Sequence, residues 1–177
     1  MPHTDVLDEL YAHAAGRLGA YGYVLTGSQS AGEELAQAAI VKVFVRSRGL
    51  DNVRAAEAYV RAAMRSIYID GLRRETLWRR VRVAQAVPDQ QPDAAAEISE
   101  ADSVQRALAT LAPQVRAAVV LHYLDDLSVA DVAQQMRVAV GTVKRYLADG
   151  RAQLAPLLGD EDGDASERVP VVERSRP

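Results

Sequence analysis

The chain contains no cysteine, so disulfides and thiolate metal sites are excluded and the redox compartment cannot be read from cysteine usage. Three histidines, His3, His13 and His122, stand far apart without metal-ligand spacing, and no glycine-rich loop suited to cradling phosphate occurs. These absences weaken any enzymatic reading, and no cofactor or metal is expected. Aromatic residues make up only 5%, with one Trp and one Phe, which leaves a core of Ala, Leu and Val. Such side chains favour helices, because Ala and Leu cost least in a helix. No apolar run approaches the roughly 18 residues of a membrane span. No basic-then-apolar segment follows Met1, so neither a signal peptide nor a membrane partner is expected, and a cytoplasmic location is.

The formal net charge of −3 conceals an uneven distribution. Residues 42–82 hold eleven basic and four acidic groups, while residues 83–103 hold five acids and no Lys or Arg. A strongly basic segment in an acidic chain suits a phosphate-binding surface, although a solvated helix face has the same composition.

Helical periodicity recurs along the chain with recognisable ends. One helix is expected from about Val6 to Leu25. A second follows Ser30-Ala31-Gly32-Glu33, a capping-box spacing, and carries an apolar stripe of Leu35, Ala36, Ala39, Ile40, Val43 and Phe44. A long basic helix is expected over about 54–82. Pro88-Asp89-Gln90-Gln91-Pro92-Asp93 then marks a flexible acidic linker over 84–98, since proline removes a helical donor and biases its predecessor away from helix. Helices restart at Ser99, with Asp102 at capping-box spacing, and Pro113 begins another where its missing donor is harmless. The tail beyond Gly159, rich in Asp and Glu, cannot bury enough apolar surface to fold. The fold expected is all-α: a first domain over 1–83, the linker 84–98, a second domain over 99–158 and a disordered acidic tail over 159–177.

Residues 128–154 carry the most specific local signal. Ser128 and Asp131 can cap a short helix whose Val129, Val132, Ala133 and Met136 face inward. After a short break, a helix from about Val140 places Val143, Leu147 and Leu154 on its buried side. Two helices joined this way form a helix-turn-helix, whose second helix lies in the major groove with its first residues at the base edges. Those residues are Gly141, Thr142, Lys144 and Arg145. Lys and Arg can reach guanine acceptors or phosphates, and Thr can meet a base or a thymine methyl. A helical hairpin with a solvated basic face is the plainer alternative.

The segment from Ala118 to Ala133 (AVVLHYLDDLSVADVA), followed by Val140-Gly141-Thr142-Val143-Lys144, resembles region 4 of sigma factors. Residues 33–44, EELAQAAIVKVF, resemble region 2.2, and residues 58–74, AYVRAAMRSIYIDGLRR, resemble regions 2.3–2.4. The three motifs stand in family order and together resemble the actinobacterial sigma-E-like subgroup of extracytoplasmic-function sigma factors. The resemblance implies a chain that directs bacterial RNA polymerase core to promoters. It implies that Glu34, Leu35 and Gln37 dock on the β′ clamp, that the second domain meets the β flap, and that an anti-sigma factor is a further partner. Asn52, Arg54, Arg61, Arg65, Ser66, Arg73 and Arg74 would contact the −10 element of promoter DNA, with Tyr68 or Trp78 available to stack on a base, although packing suits Trp78 better. Arg137, Gly141, Thr142, Lys144 and Arg145 would contact the −35 element.

The chain departs from the family pattern in four places. Ala38 stands where region 2.2 usually has an acid, and Ser66 where the family usually has Asn. Arg137 stands at a usual Gly, and Ala139 at a usual capping Ser. Two other readings stay open on the residues alone: a helix-turn-helix regulator that never loads polymerase, and a polymerase-binding decoy without promoter-opening activity.

Overall fold

A computed structural model describes residues 3–46, 50, 52–81 and 100–158. The expected linker, and with it Ser99, and the acidic tail lie outside the described residues. Seven α-helices and one π-helical turn, with no strand, make up the described chain.

The first three helices, α1 (His3–Thr26), α2 (Gln29–Arg46) and α3 (Val53–Val81), form a bundle. Leu10, Leu18, Leu25, Ile40, Val60 and Met64 fill its centre. α1 ends where Gly27 takes φ +77°, a left-handed conformation that glycine adopts without a Cβ penalty. This tight reversal lets α2 begin at Gln29, earlier than the Ser30–Glu33 spacing suggests. Its free amides are met from Ser28, whose Oγ accepts from Ala31 N at 3.5 Å, while Glu33 accepts from Gln29 Nε2 at 2.7 Å. The expected capping box is therefore not formed. α1 and α2 cross at Gly22 and Gly32, where the backbones touch: a Cβ on Gly32 would stand 2.5 Å from Tyr23 N.

α3 starts at Asn52, whose Oδ1 accepts from Ala55 N at 2.8 Å, a side-chain N-cap worth roughly 1 kcal/mol. Its 29 residues span about 43 Å at 1.5 Å each. Arg17 on α1 grips Glu57 on α3 with two bonds of 2.7 and 3.0 Å, and this pairing holds the Glu57 carboxyl below its ordinary range.

The second half contains α4 (Glu100–Ala109), α5 (Pro113–Val119), the π turn (Val120–Leu124), α6 (Val129–Met136) and α7 (Val140–Leu158). Pro113 opens α5 as expected. Leu108, Leu111, Leu121, Val132, Val143 and Leu147 are buried, and Gly150 lets α7 lie against Val119, where a Cβ would stand 2.5 Å from a methyl. The π turn adds width to the chain before Asp125, whose N–H reaches back to Val120 O at 3.2 Å. Asp126 follows at φ +53°, an energetically costly backbone for a side chain other than glycine.

The two halves pack against each other, α1 on α4 and α5, and α3 on α5 and α6, so that one apolar core runs through both.

Candidate nucleic-acid interface

The helix-turn-helix is built as its sequence signals indicate. Ser128 caps α6 by accepting from Asp131 N at 3.1 Å, and its own hydroxyl donates to Asp131 Oδ2 at 2.6 Å. Val132, Ala133 and Met136 turn inward, and Val143 and Leu147 of α7 meet them. The turn keeps the geometry that glycine usually supplies, with Arg137 at φ 53° and ψ 48°. Arg137 N and Val138 N donate to Gln134 O and Ala133 O, which closes the end of α6. Ala139 lacks a capping side chain, and its carbonyl accepts from Thr142 N and Val143 N.

Left-handed backbone costs a non-glycine residue roughly 1–2 kcal/mol, partly offset because glycine would lose more chain entropy on folding. Arg137→Gly should therefore raise stability by about 0.5–1 kcal/mol and the melting temperature by a few degrees. Circular dichroism at 222 nm during heating measures this. An unchanged or lower Tm would mean that the Arg137 side chain repays the strain through its own contacts.

On α7, Gly141, Lys144 and Arg145 are exposed and Thr142 is half-buried. The Arg145 guanidinium stands over the Tyr146 ring, 5.7 Å from its centre. The side chains of Thr142, Lys144 and Arg145 lie away from the buried Val143 and Leu147.

α3 carries the second set. Arg54, Ser66 and Arg74 are exposed, and Arg74 Nε donates to Asp70 O at 3.2 Å. Arg73 pairs with Asp70 at 3.2 Å. Arg61 lies over the Tyr21 ring at 4.3 Å and 3.8 Å from Asp125, while Arg65 is 3.4 Å from the same carboxylate. Asn52 is exposed at the start of α3, and its Oδ1 already caps that helix. Trp78 is 63% exposed rather than packed against its neighbours, so its ring is open to a base. Tyr68 is not so placed: Arg116 donates to its hydroxyl at 3.4 Å, and burial pushes its pKa up. A cleft of about 500 Å³ separates Arg73, Thr76 and Leu77 of α3 from Arg137, Thr142 and Arg145 of the helix-turn-helix.

On α2, Glu34 and Gln37 are exposed together with Val41 and Val45, and make a continuous outer face. Leu35, grouped with them by the family resemblance, points inward and is 7% exposed. Its place on the Leu35–Ala39 stripe makes it a core residue, so it is corrected from the docking set.

Residues 101–154, from α4 through α7, match the family model of sigma-70 region 4. The RNA polymerase sigma-E factor of Streptomyces avermitilis is 33% identical over 139 residues, which cover 75% of this chain and 74% of that protein. The chain belongs to the extracytoplasmic-function sigma factors. It is of the actinobacterial sigma-E type and functions in transcription initiation. The sigma factor SigE of Mycolicibacterium smegmatis is 28% identical over 90% of this chain and 64% of its own length. A solved sigma factor, RpoE of Bartonella quintana in complex with the anti-sigma factor NepR, shares the fold with a TM-score of 0.51 at 21% identity, over 87% of this chain and 96% of that one.

Two residues of this sigma factor outside the sequence-derived sites organise the space between its halves. Arg116 is 5% exposed, and Asp125 has a side chain 5% exposed. The signal for Arg116 was present in the sequence as a single charge inside the apolar run Val115–Leu121. Asp125 carried no such mark, because its acid sits in an open polar turn.

Proposed function

We propose that this sigma factor carries RNA polymerase core to promoters by a division of labour between α7 and α3. α7 anchors at the −35 element through Thr142, Lys144 and Arg145, with Gly141 leaving the backbone open to the groove and Arg137 beside a phosphate. α3 and the residues before it handle the −10 element. Arg61, Arg65, Arg73 and Arg74 follow the phosphates of the opened strand, and Asn52, Arg54 and Ser66 offer hydrogen bonds to an extruded base. Unstacking costs a few kcal/mol per base, and capture of the flipped base offsets it. Trp78 supplies a stacking face.

The outer face of α2, through Glu34 and Gln37, docks on the β′ clamp, and the second half meets the β flap. An anti-sigma factor is a further partner, as NepR is for the Bartonella protein. The chain acts in the cytoplasm and is not an enzyme. Among the described residues no helix is long and apolar enough to cross a membrane.

The observation that carries this reading is the exposed cationic start of α7, set on a buried Val143–Leu147 seam. Run-off transcription with purified core polymerase on a genomic promoter library tests it. Discrete transcripts that depend on the added chain are expected. Selective duplex binding without polymerase, and no transcripts, would instead identify a standalone regulator, while polymerase binding without transcripts would identify a decoy.

A further inference from the structure

We infer that Glu57, held by Arg17, is a base-reading residue of the −10 helix, accepting from the N4 amino group of a cytosine in that element. The inference rests on the reading of α3 as the −10 helix and adds a sequence-selective contact to it. From Val53 to Ile69, α3 carries three arginines, Arg54, Arg61 and Arg65, and one acid, Glu57. Spacings of three and four put all of them on one helix face. A lone carboxylate thus interrupts the row of cations assigned to the −10 strand.

Arg17 on α1 fixes that carboxylate. Its Nε donates to Glu57 Oε1 at 3.0 Å and its Nη2 to Oε2 at 2.7 Å. A fork of two such bonds sets the plane of a carboxylate as well as its position. The bonds from Arg17 hold the carboxyl below its ordinary range against its partial burial, and Arg61 adds to the effect. Glu57 therefore stays ionised and can only accept. A carboxylate offers about four lone-pair sites, and Arg17 takes one on each oxygen, so acceptor capacity remains on both. The pair lies at the surface, with the side chains of Arg17 and Glu57 61% and 17% exposed.

An acceptor-only group discriminates among base edges. In the major groove guanine presents only acceptors and thymine an acceptor beside its methyl, so both turn a carboxylate away. Adenine sets its N7 acceptor next to its N6 donor, whereas cytosine offers its N4 amino group alone. Cytosine is therefore the base that a fixed glutamate reads best. Phosphate contacts from Arg61 and Arg65 position a strand without reading it, and a base contact is what specifies sequence. Arg17 offsets the repulsion that an acid in this row would exert on phosphates, while leaving lone pairs of Glu57 usable. A tie between α1 and α3 is the plainer role for the pair, but exposed ion pairs add little stability.

Selection from promoters randomised through the −10 element tests this, using core polymerase loaded with the full chain and sequencing the templates held in heparin-resistant complexes. The unmodified chain should favour cytosine at one −10 position. Glu57→Gln keeps the side-chain shape but adds an amide donor, which guanine and thymine can accept. It should lower the cytosine preference at that position at least about five-fold, the low end for one good pairing of side chain and base, and leave the other positions unchanged. Arg17→Gln keeps Glu57 but removes the fork that orients it, and should relax the same position. Unchanged base preferences in either variant would overturn the inference, even if the yield of complexes falls uniformly, since that pattern belongs to a tie between helices. The absence of any cytosine preference in the unmodified chain would overturn it as well. If the unmodified chain forms no stable complex on any template, the −10 reading of α3 falls and this inference with it.

Discussion

Replacing Arg116 by Met is expected to destabilise the chain by about 3–5 kcal/mol, the range for leaving buried charge or polar partners uncompensated. The methionine matches much of the volume but donates nothing. Four carbonyls then lose this donor, Leu25 O and Leu111 O in buried positions and Thr26 O and Ala109 O in part-buried ones. Each unsatisfied buried group costs about 1–3 kcal/mol before relaxation, so partial rehydration brings the total into the stated range. Arg116→Lys should fall between the two, because a single ammonium has three donors and cannot span both helix ends as the planar fork does. Urea unfolding followed by far-ultraviolet circular dichroism measures both. A loss under about 1 kcal/mol for the methionine variant would show that the carbonyls find other donors, and that Arg116 does not join the halves.

The second large effect separates the two DNA surfaces. Lys144 and Arg145 stand exposed at the start of α7, and their joint replacement by Ala should remove roughly 1–3 kcal/mol for each good base contact. On a template already unpaired at −10, that loss should be rescued, because less binding energy is needed for opening. Arg61 and Arg65 face the opposite case. Their replacement by Ala removes the two cations proposed to follow the phosphates of the open strand. If the single strand is the ligand of these two arginines, as proposed, open complex should stay deficient on the pre-melted template. Permanganate reactivity of unpaired thymines, on duplex and pre-melted templates, scores both variants. Identical loss and recovery in the two would refute separate roles for α3 and α7.

The sequence and structure agree most closely where information is local. Ser128 and Asp131 stand three apart and form the cap they suggest, and Pro113 opens α5. Val132, Met136, Val143 and Leu147 are buried at the positions that helical period assigns them. Agreement fails where a residue's role depends on a remote part of the chain. Leu25 O and Arg116 Nε are 91 positions apart, and no periodicity connects them. Arg61 and Arg65 read as free cations in sequence because the carboxylate that meets them arrives from the other half of the chain. Leu35 is a different case. Its own stripe with Ala36, Ala39, Ile40 and Val43 marked it as core, and the family motif outweighed that local reading. Trp78 lies near the end of α3 and is largely exposed there, although its apolar side chain suggested packing.

The crossing of α1 and α2 at Gly22 and Gly32 acts as a fulcrum made of backbone alone. A methyl group at either glycine would have to tilt α2 as a rigid rod, and with it the outward row of Glu34 and Gln37, about a point on the opposite face of the helix. Alanine at Gly22 or Gly32 would thus phenocopy the loss of an α2 surface contact while touching no partner. Genetic maps that score only lost partner binding would assign these two glycines to an interface they never enter, and compensating changes would arise on α1 rather than on the partner.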